Sequence, residues 1–438
     1  MRGRRASAAR GTRAESRAER VEPTASLANM QRVRAWAEID LAAFGRNLER
    51  IQAAAGAGVE VMLVLKADAY GHGAAALARF ARGRGVKTFC VGTVEEAVEL
   101  RRAGISERVL LLGTLVDEES HDALAHGIEL CVHSSDRCRM LDALAVRRGT
   151  RARVHLNVDT GMGRLGVHPE RALELASEIR DMPGLDLVGL TTHVAACDGL
   201  ADPRGRAQIE RFDALCSGLL ERGALPPLVH AANSAVLFTA PAARTAHAAP
   251  AQAATQAASR RAPLYSGVRP GISAYGLLPP QLPHANELEP ILSLWTRVVF
   301  FKDVPRGTPI GYDGTYTTTR DSRIATLPIG YHDGMAWRCG NRAHVLVRGR
   351  RVPVVGRVSM DYTTIDVTDV AGVTVGDPVV VIGRQGDESI GALEFARNAD
   401  TIPYEVTCTI GRRVPRVLVH ERSADEIVPA VAGARAQR

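Results

Sequence analysis

Eight short apolar runs, most of them followed by a stretch of helical periodicity, fill the middle of the chain between residues 61 and 269. They lie at 61–66 (VMLVLK), 88–92, 109–113, 129–133, 153–159, 187–193, 228–233 and 266–269. Segments such as 94–103, 135–147, 169–181 and 207–222 repeat their apolar residues at helical spacing. Near-continuous apolar strands separated by helices belong to parallel sheets buried on both faces. Eight such units predict a (β/α)8 barrel, though strand counting alone leaves a doubly wound sheet open. An earlier run at 36–40 leads into a helix over about 41–55 and is free to join a second domain.

After about residue 280 the texture changes. Runs at 295–301, 323–328, 343–348, 351–356, 363–367 and 378–383 are short, rich in Val, Ile and Thr, and broken by Gly and Pro. They predict a separate, mostly antiparallel β domain. The expected layout is a basic disordered tail (1–34), a barrel (35–280), a β domain (281–425) and a short tail (426–438). Residues 240–262, nearly all Ala, Pro, Thr, Gln and Arg, interrupt the last barrel unit as a low-complexity surface insertion.

Charge excludes one class of partner. The net charge is +7, and residues 1–34 hold nine Arg against three Glu, so the body is close to neutral and offers no dedicated nucleic-acid surface. Paired Arg4 and Arg5 are not followed by an apolar stretch, and Glu15, Glu19 and Glu22 argue against a mitochondrial presequence. The tail reads as disordered or as an upstream start, with Met30 as the alternative first residue. No run is long and apolar enough for a membrane span. Seven scattered Cys without a CxxC or a zinc-spaced His/Cys cluster suggest reduced thiols, a cytoplasmic location and no metal.

Barrel enzymes carry their functional groups at the carboxyl ends of the strands. Those ends here offer Lys66, Arg164, His193, Ser234 and Arg269. Only three lysines occur, and Lys87 and Lys302 lie elsewhere, so Lys66 is the one candidate for Schiff-base chemistry. An amine at the tip of a buried strand is partly desolvated, which lowers its pKa and favours nucleophilic use. Ser234 and the amides of Gly271 and Ile272 suit a phosphate at the ends of the last two strands, although a serine there is also an ordinary helix cap. The stretch 161–166 fits G-x-G-x-x-G, but a dinucleotide fingerprint opens the first βαβ unit and this one follows the fifth strand.

Taken together these residues resemble the alanine racemase family of pyridoxal phosphate enzymes over roughly 35–420. The motifs are VLKADAYGHG (64–73), DTGMGRLG (159–166), ANSA (232–235), VRPGISAYG (268–276), GYDGTY (311–316), PIGYHDG (328–334), GRVSMD (356–361) and DTIPYEV (400–406). The resemblance implies that Lys66 carries pyridoxal 5'-phosphate covalently and is the base on one face of the substrate. Tyr312 of a partner subunit would be the base on the other. Arg269 would face the pyridine nitrogen, held by His193. Tyr70, Ser234, Gly271, Ile272 and Tyr404 would bind the phosphate. Arg164 and Met360 would hold the substrate carboxylate, Met360 from the partner, and Tyr331 would line the entrance. It further implies a homodimer with shared sites and D-alanine made for the cell wall.

The two-base scheme agrees with the chemistry, because racemisation removes a proton from one face and returns one to the other. Arg269 cannot give its proton to a pyridine nitrogen, which weakens the electron sink and suits a proton-only reaction. Many members have a carbamylated lysine two residues before Asp159. This chain has Asn157, so a chloride between Asn157 and Arg164 is expected to replace the missing negative charge, unless Asn157 bonds Arg164 directly. The alternatives are a racemase of broader substrate range and a pyridoxal phosphate decarboxylase of the same fold.

Overall fold

The structure, a computed structural model, describes residues 33–240 and 265–419. The expectations for the tail up to residue 32, for 241–262 and for 426–438 fall outside the described residues.

Strand β1 (Ala35–Asp40) runs directly into a helix over Leu41–Ala55, whose start is capped by the Asp40 carboxylate accepting the Ala43 amide at 2.8 Å. Eight strands then close into a parallel barrel: β2 (Glu60–Val64), β3 (Thr88–Val91), β4 (Arg108–Leu111), β5 (Glu129–Val132), β6 (Ala152–Val158), β7 (Leu185–Thr192), β8 (Leu228–Asn233) and β9 (Gly267–Arg269). Closure is made by β2 pairing β9 in parallel, Val61 opposite Val268. The doubly wound alternative is therefore excluded. Helices such as Ser135–Arg147 and Pro169–Asp181 cover the outside, turning residues like Leu141, Leu175 and Ile179 onto the strands.

The second domain follows with β10 (Leu292–Arg297), β11 (Phe300–Val304), β12 (Pro309–Ile310), β13 (Tyr316–Thr317), β14 (Ser322–Leu327), β15 (His344–Val347), β16 (Arg350–Pro353), β17 (Thr363–Asp366), β18 (Pro378–Gln385), β19 (Glu388–Ile390) and β20 (Arg416–Val419). Its main sheet is ordered β16-β15-β18-β10-β1-β20, with β19 on β18. All of its pairings are antiparallel except β1 with β20. Strand β1 thus belongs to this sheet, and Trp36 stacks on Trp295 with ring centroids 6.1 Å apart. Two short helices, Ala392–Ala399 and Pro403–Cys408, close the domain.

Candidate active site

The chain turns abruptly where β2 ends. Ala67, Asp68, Ala69 and Tyr70 all have φ between 50° and 55°, a left-handed turn built without glycine. Such a conformation costs L-residues about 1–2 kcal/mol each. Tertiary bonds hold it. Glu96 accepts the Ala67 amide at 2.6 Å and the Gly92 amide at 2.7 Å, and Asp68 accepts the Ala74 amide at 2.7 Å. His72, fully buried, places Nδ1 2.8 Å from the Ala69 carbonyl and 3.0 Å from that of Tyr70, and it stacks on Tyr275. Gly71 passes so near the Thr407 carbonyl that a Cβ would lie 2.0 Å from that oxygen. The turn therefore docks on the helix Pro403–Cys408, with the Tyr70 and Tyr404 rings 6.0 Å apart.

Lys66 opens this turn at the barrel mouth. Burial lowers its pKa, the Arg164 charge lowers it further, and Glu96 and Cys408 oppose them. Burial raises the phenols of Tyr70 and Tyr404, the latter to about 12, so both are neutral donors. The Tyr70 hydroxyl lies over Gly271, where a Cβ would stand 2.6 Å from it. Ser234 Oγ accepts the amides of Gly271 (3.0 Å) and Ser273 (3.3 Å) and shares a hydrogen bond with the Ser273 hydroxyl. The Ile272 amide donates to no protein acceptor among the described residues. The cap of the helix Ser234–Thr239 is Asn233, which accepts the Val236 amide, so Ser234 is not the cap.

Arg269, buried at the end of β9, donates to the Thr191 hydroxyl (2.9 Å), His230 Nδ1 (2.5 Å) and the carbonyls of His230 (2.6 Å), Thr192 (2.6 Å) and Ala231 (3.4 Å). Nε takes no part in these bonds. The residue holding Arg269 is thus His230, a correction to the expectation for His193. The reason is depth: Thr191 faces His230 across β7 and β8, level with the guanidinium, whereas His193 lies beyond the strand end. His193 stays close enough to feel three cations. Burial, then Arg269, Arg164 and Lys66, lower its pKa to about 3, so it is neutral.

Arg164 stands in a loop folded around a carboxylate. Asp159 accepts the amides of Gly161 (2.9 Å), Met162 (2.7 Å) and Gly163 (2.8 Å), and Gly166 leaves no room for a Cβ against the Asp159 backbone. The glycines of 161–166 serve this turn, not a nucleotide. Among the described residues Arg164 is in no ion pair, and no hydrogen bond joins it to Asn157.

Tyr312, Tyr331 and Met360 do not reach the barrel mouth of their own chain through any hydrogen bond or ring contact among the described residues. They gather in the β domain. Tyr331 and His332 donate their amides to the carbonyls of Ser359 (3.0 Å) and Met360 (3.3 Å), and Asp313 pairs with Arg357 at 3.0 Å. Tyr312 is 70% exposed, Met360 54% and Tyr331 44%. The candidate site thus gathers Lys66, Arg164 and Arg269 around His193 with nearby amides and hydroxyls, while a separate set of exposed loops lies in the β domain.

Comparison with known proteins agrees with this geometry. The family description "Alanine racemase, N-terminal domain" matches residues 39–279, and "Alanine racemase, C-terminal domain" matches 291–418. The alanine racemase of Symbiobacterium thermophilum is 42% identical over 87% of this chain and 96% of its own. The alanine racemase structure from Clostridium difficile superposes with a TM-score of 0.81 at 31% identity, covering 90% of this chain and 97% of that one. The alanine racemase from Bartonella henselae, solved with covalently bound pyridoxal phosphate, does so with a TM-score of 0.74 at 26% identity, covering 88% and 100%. From the barrel with its rim and from these matches, the chain belongs to the alanine racemase family.

Proposed function

We propose that the protein interconverts L- and D-alanine with pyridoxal 5'-phosphate, as a homodimer whose sites are shared, and that its D-alanine serves the cell wall from the cytoplasm. The carrying observation is the lone rim amine, Lys66, with a lowered pKa, at the head of the turn that brings the Tyr70 hydroxyl over Gly271, beside Ser234 and the Ile272 amide. The donors suit a phosphate: the missing Cβ of Gly271 lets the neutral Tyr70 hydroxyl come close to its backbone, and the Ile272 amide is uncommitted among the described residues. Tyr70, Ser234, Gly271, Ile272 and Tyr404 would hold the phosphate, and Arg269 Nε would face the pyridine nitrogen. When bound, pyridoxal phosphate supplies the conjugated electron sink that acidifies the substrate Cα–H.

The residues then divide the proton work. The Lys66 amine takes or returns the Cα proton on one face, and the Tyr312 phenol of the partner subunit does so on the other. Arg164 orients the substrate carboxylate, Met360 adds a backbone contact from the partner, and Tyr331 narrows the entrance. Neutral His193 adds no fourth cation beside Arg269, Arg164 and Lys66. Exposure of Tyr312 and Met360 on loops tied to one another supports their service to a second chain. Among the described residues no helix is long and apolar enough to cross a membrane.

The test is direct. Borohydride should fix the cofactor on Lys66, and L-alanine in heavy water should give D-alanine labelled at Cα. Tyr312→Phe should bind cofactor and exchange Cα hydrogen mainly from one enantiomer. Equal exchange from both would overturn the two-base assignment, and carbon dioxide release without racemisation would favour the decarboxylase.

A further inference from the structure

Beneath Arg269 the barrel axis carries a file of polar side chains that the rim chemistry does not use. His230 Nε2 lies 2.8 Å from His155 Nδ1, and His155 Nε2 lies 2.9 Å from Glu129 Oε2. Glu129 in turn accepts two bonds from Arg108, at 2.9 Å each, and an ion pair from Arg153 at 2.9 Å. His155, His230, Glu129 and Arg269 are all buried. The wall is shaped around this file. Gly189 leaves space that a Cβ could not share, since it would stand 2.0 Å from His155 Nδ1. The strand register also shifts at Val154/His155 and again at His230/Ala232. Irregularities of this kind re-aim side chains.

Proton counting gives the file one direction. An ionised Glu129 only accepts, so His155 must carry its proton on Nε2 and accept at Nδ1. His230 must then donate from Nε2 and accept from Arg269 at Nδ1. Burial pulls the Glu129 carboxyl up, but hydrogen bonds from His155 and Arg108 outweigh it and hold it at about 2. Burial keeps both histidines neutral.

We propose that Glu129 is a positioning residue: through the fixed tautomers of His155 and His230 it pins the Arg269 guanidinium and leaves Nε as the donor facing the site. This rests on the reading of Arg269 given above, and it extends that reading to the opposite end of the barrel.

The test is 15N NMR of histidine-labelled holoenzyme, with His155 and His230 assigned by single substitution. Both rings should be neutral and protonated on Nε2. A proton on Nδ1 of either, or a cationic ring, would overturn the proposal. Glu129→Gln should change the tautomer of His155, weaken cofactor binding about tenfold, the scale of one charge-assisted hydrogen bond, and shift the visible absorbance of the cofactor. KM for alanine should move less than kcat. Gly189→Ala, which displaces the His155 ring without touching any charge, should weaken the cofactor likewise. An unchanged tautomer and unchanged absorbance in Glu129→Gln would also overturn it. Failure of the functional reading is distinguishable, because the wild-type protein would then bind no cofactor while its histidine tautomers remained measurable.

Discussion

Glu96 Oε1 accepts the Ala67 amide at 2.6 Å, one residue beyond Lys66, while its second oxygen holds Gly92 at 2.7 Å. A single carboxylate thus clamps a left-handed turn to the end of β3. Glu96→Ala should lower the unfolding free energy by about 1–3 kcal/mol, since two amides lose a charged acceptor. It should also lower the Lys66 pKa further, because Glu96 opposes that shift. Urea unfolding and the pH dependence of cofactor attachment measure the two effects.

Gly71→Ala should be more damaging than a surface glycine change. Its φ is 83°, and the new Cβ would meet the Thr407 carbonyl. The helix that carries Tyr404 should then lift from the turn that carries Tyr70. Faster loss of cofactor on dilution, together with a lower Tm, is the expected outcome. Gly73→Ala, at φ 97° in open space, is the control for backbone strain alone.

Arg269→Lys should destabilise the barrel by about 1–3 kcal/mol for each buried acceptor left unpaired. An ammonium has three donors and no planar fork, so it cannot serve Thr191, His230 and Thr192 together and still face the site. Unfolding by denaturant reads the stability, and cofactor titration reads the lost donor.

Acid stability follows from Glu129. Its carboxyl sits at about 2 against an ordinary 4.5. A depressed value contributes stability that is complete above the unfolded pKa and lost as pH falls through the folded one. The window is therefore from 4.5 down to about 2, and the size is on the order of 3 kcal/mol. Unfolding measured across that window should slope less steeply in Glu129→Gln than in the wild type, the residual slope coming from other depressed carboxylates such as Asp159 and Asp377.

Arg164 has no carboxylate partner among the described residues, and Asn157 does not bond it. Activity should rise and saturate with chloride at constant ionic strength. A flat response would remove the anion from the site.

The barrel was legible because its strands are apolar enough to stand out and its helices keep their period. The rim was legible because function concentrates at strand ends, where Lys66, Arg164 and Arg269 are found. That same rule hid the rest. His155 and Glu129 lie within apolar runs, where a single polar residue reads as an interruption, and their partnership depends on register shifts that no local pattern announces. His193 drew attention as a strand-end histidine, while His230, three residues before Asn233, was the one at the right depth. The left-handed turn carries no glycine at 67–70, so its backbone had no signal in the residue types.

Strand β1 is made first yet lies between β10 and β20, in the sheet assembled last. During synthesis on the ribosome, residues 35–40 wait for β10 at 292–297 to cover one edge and for the segment ending at 419 to cover the other. A fragment cut at the apparent boundary near 280 would strand an apolar ribbon with Trp36 in water, so the barrel half should aggregate when expressed alone.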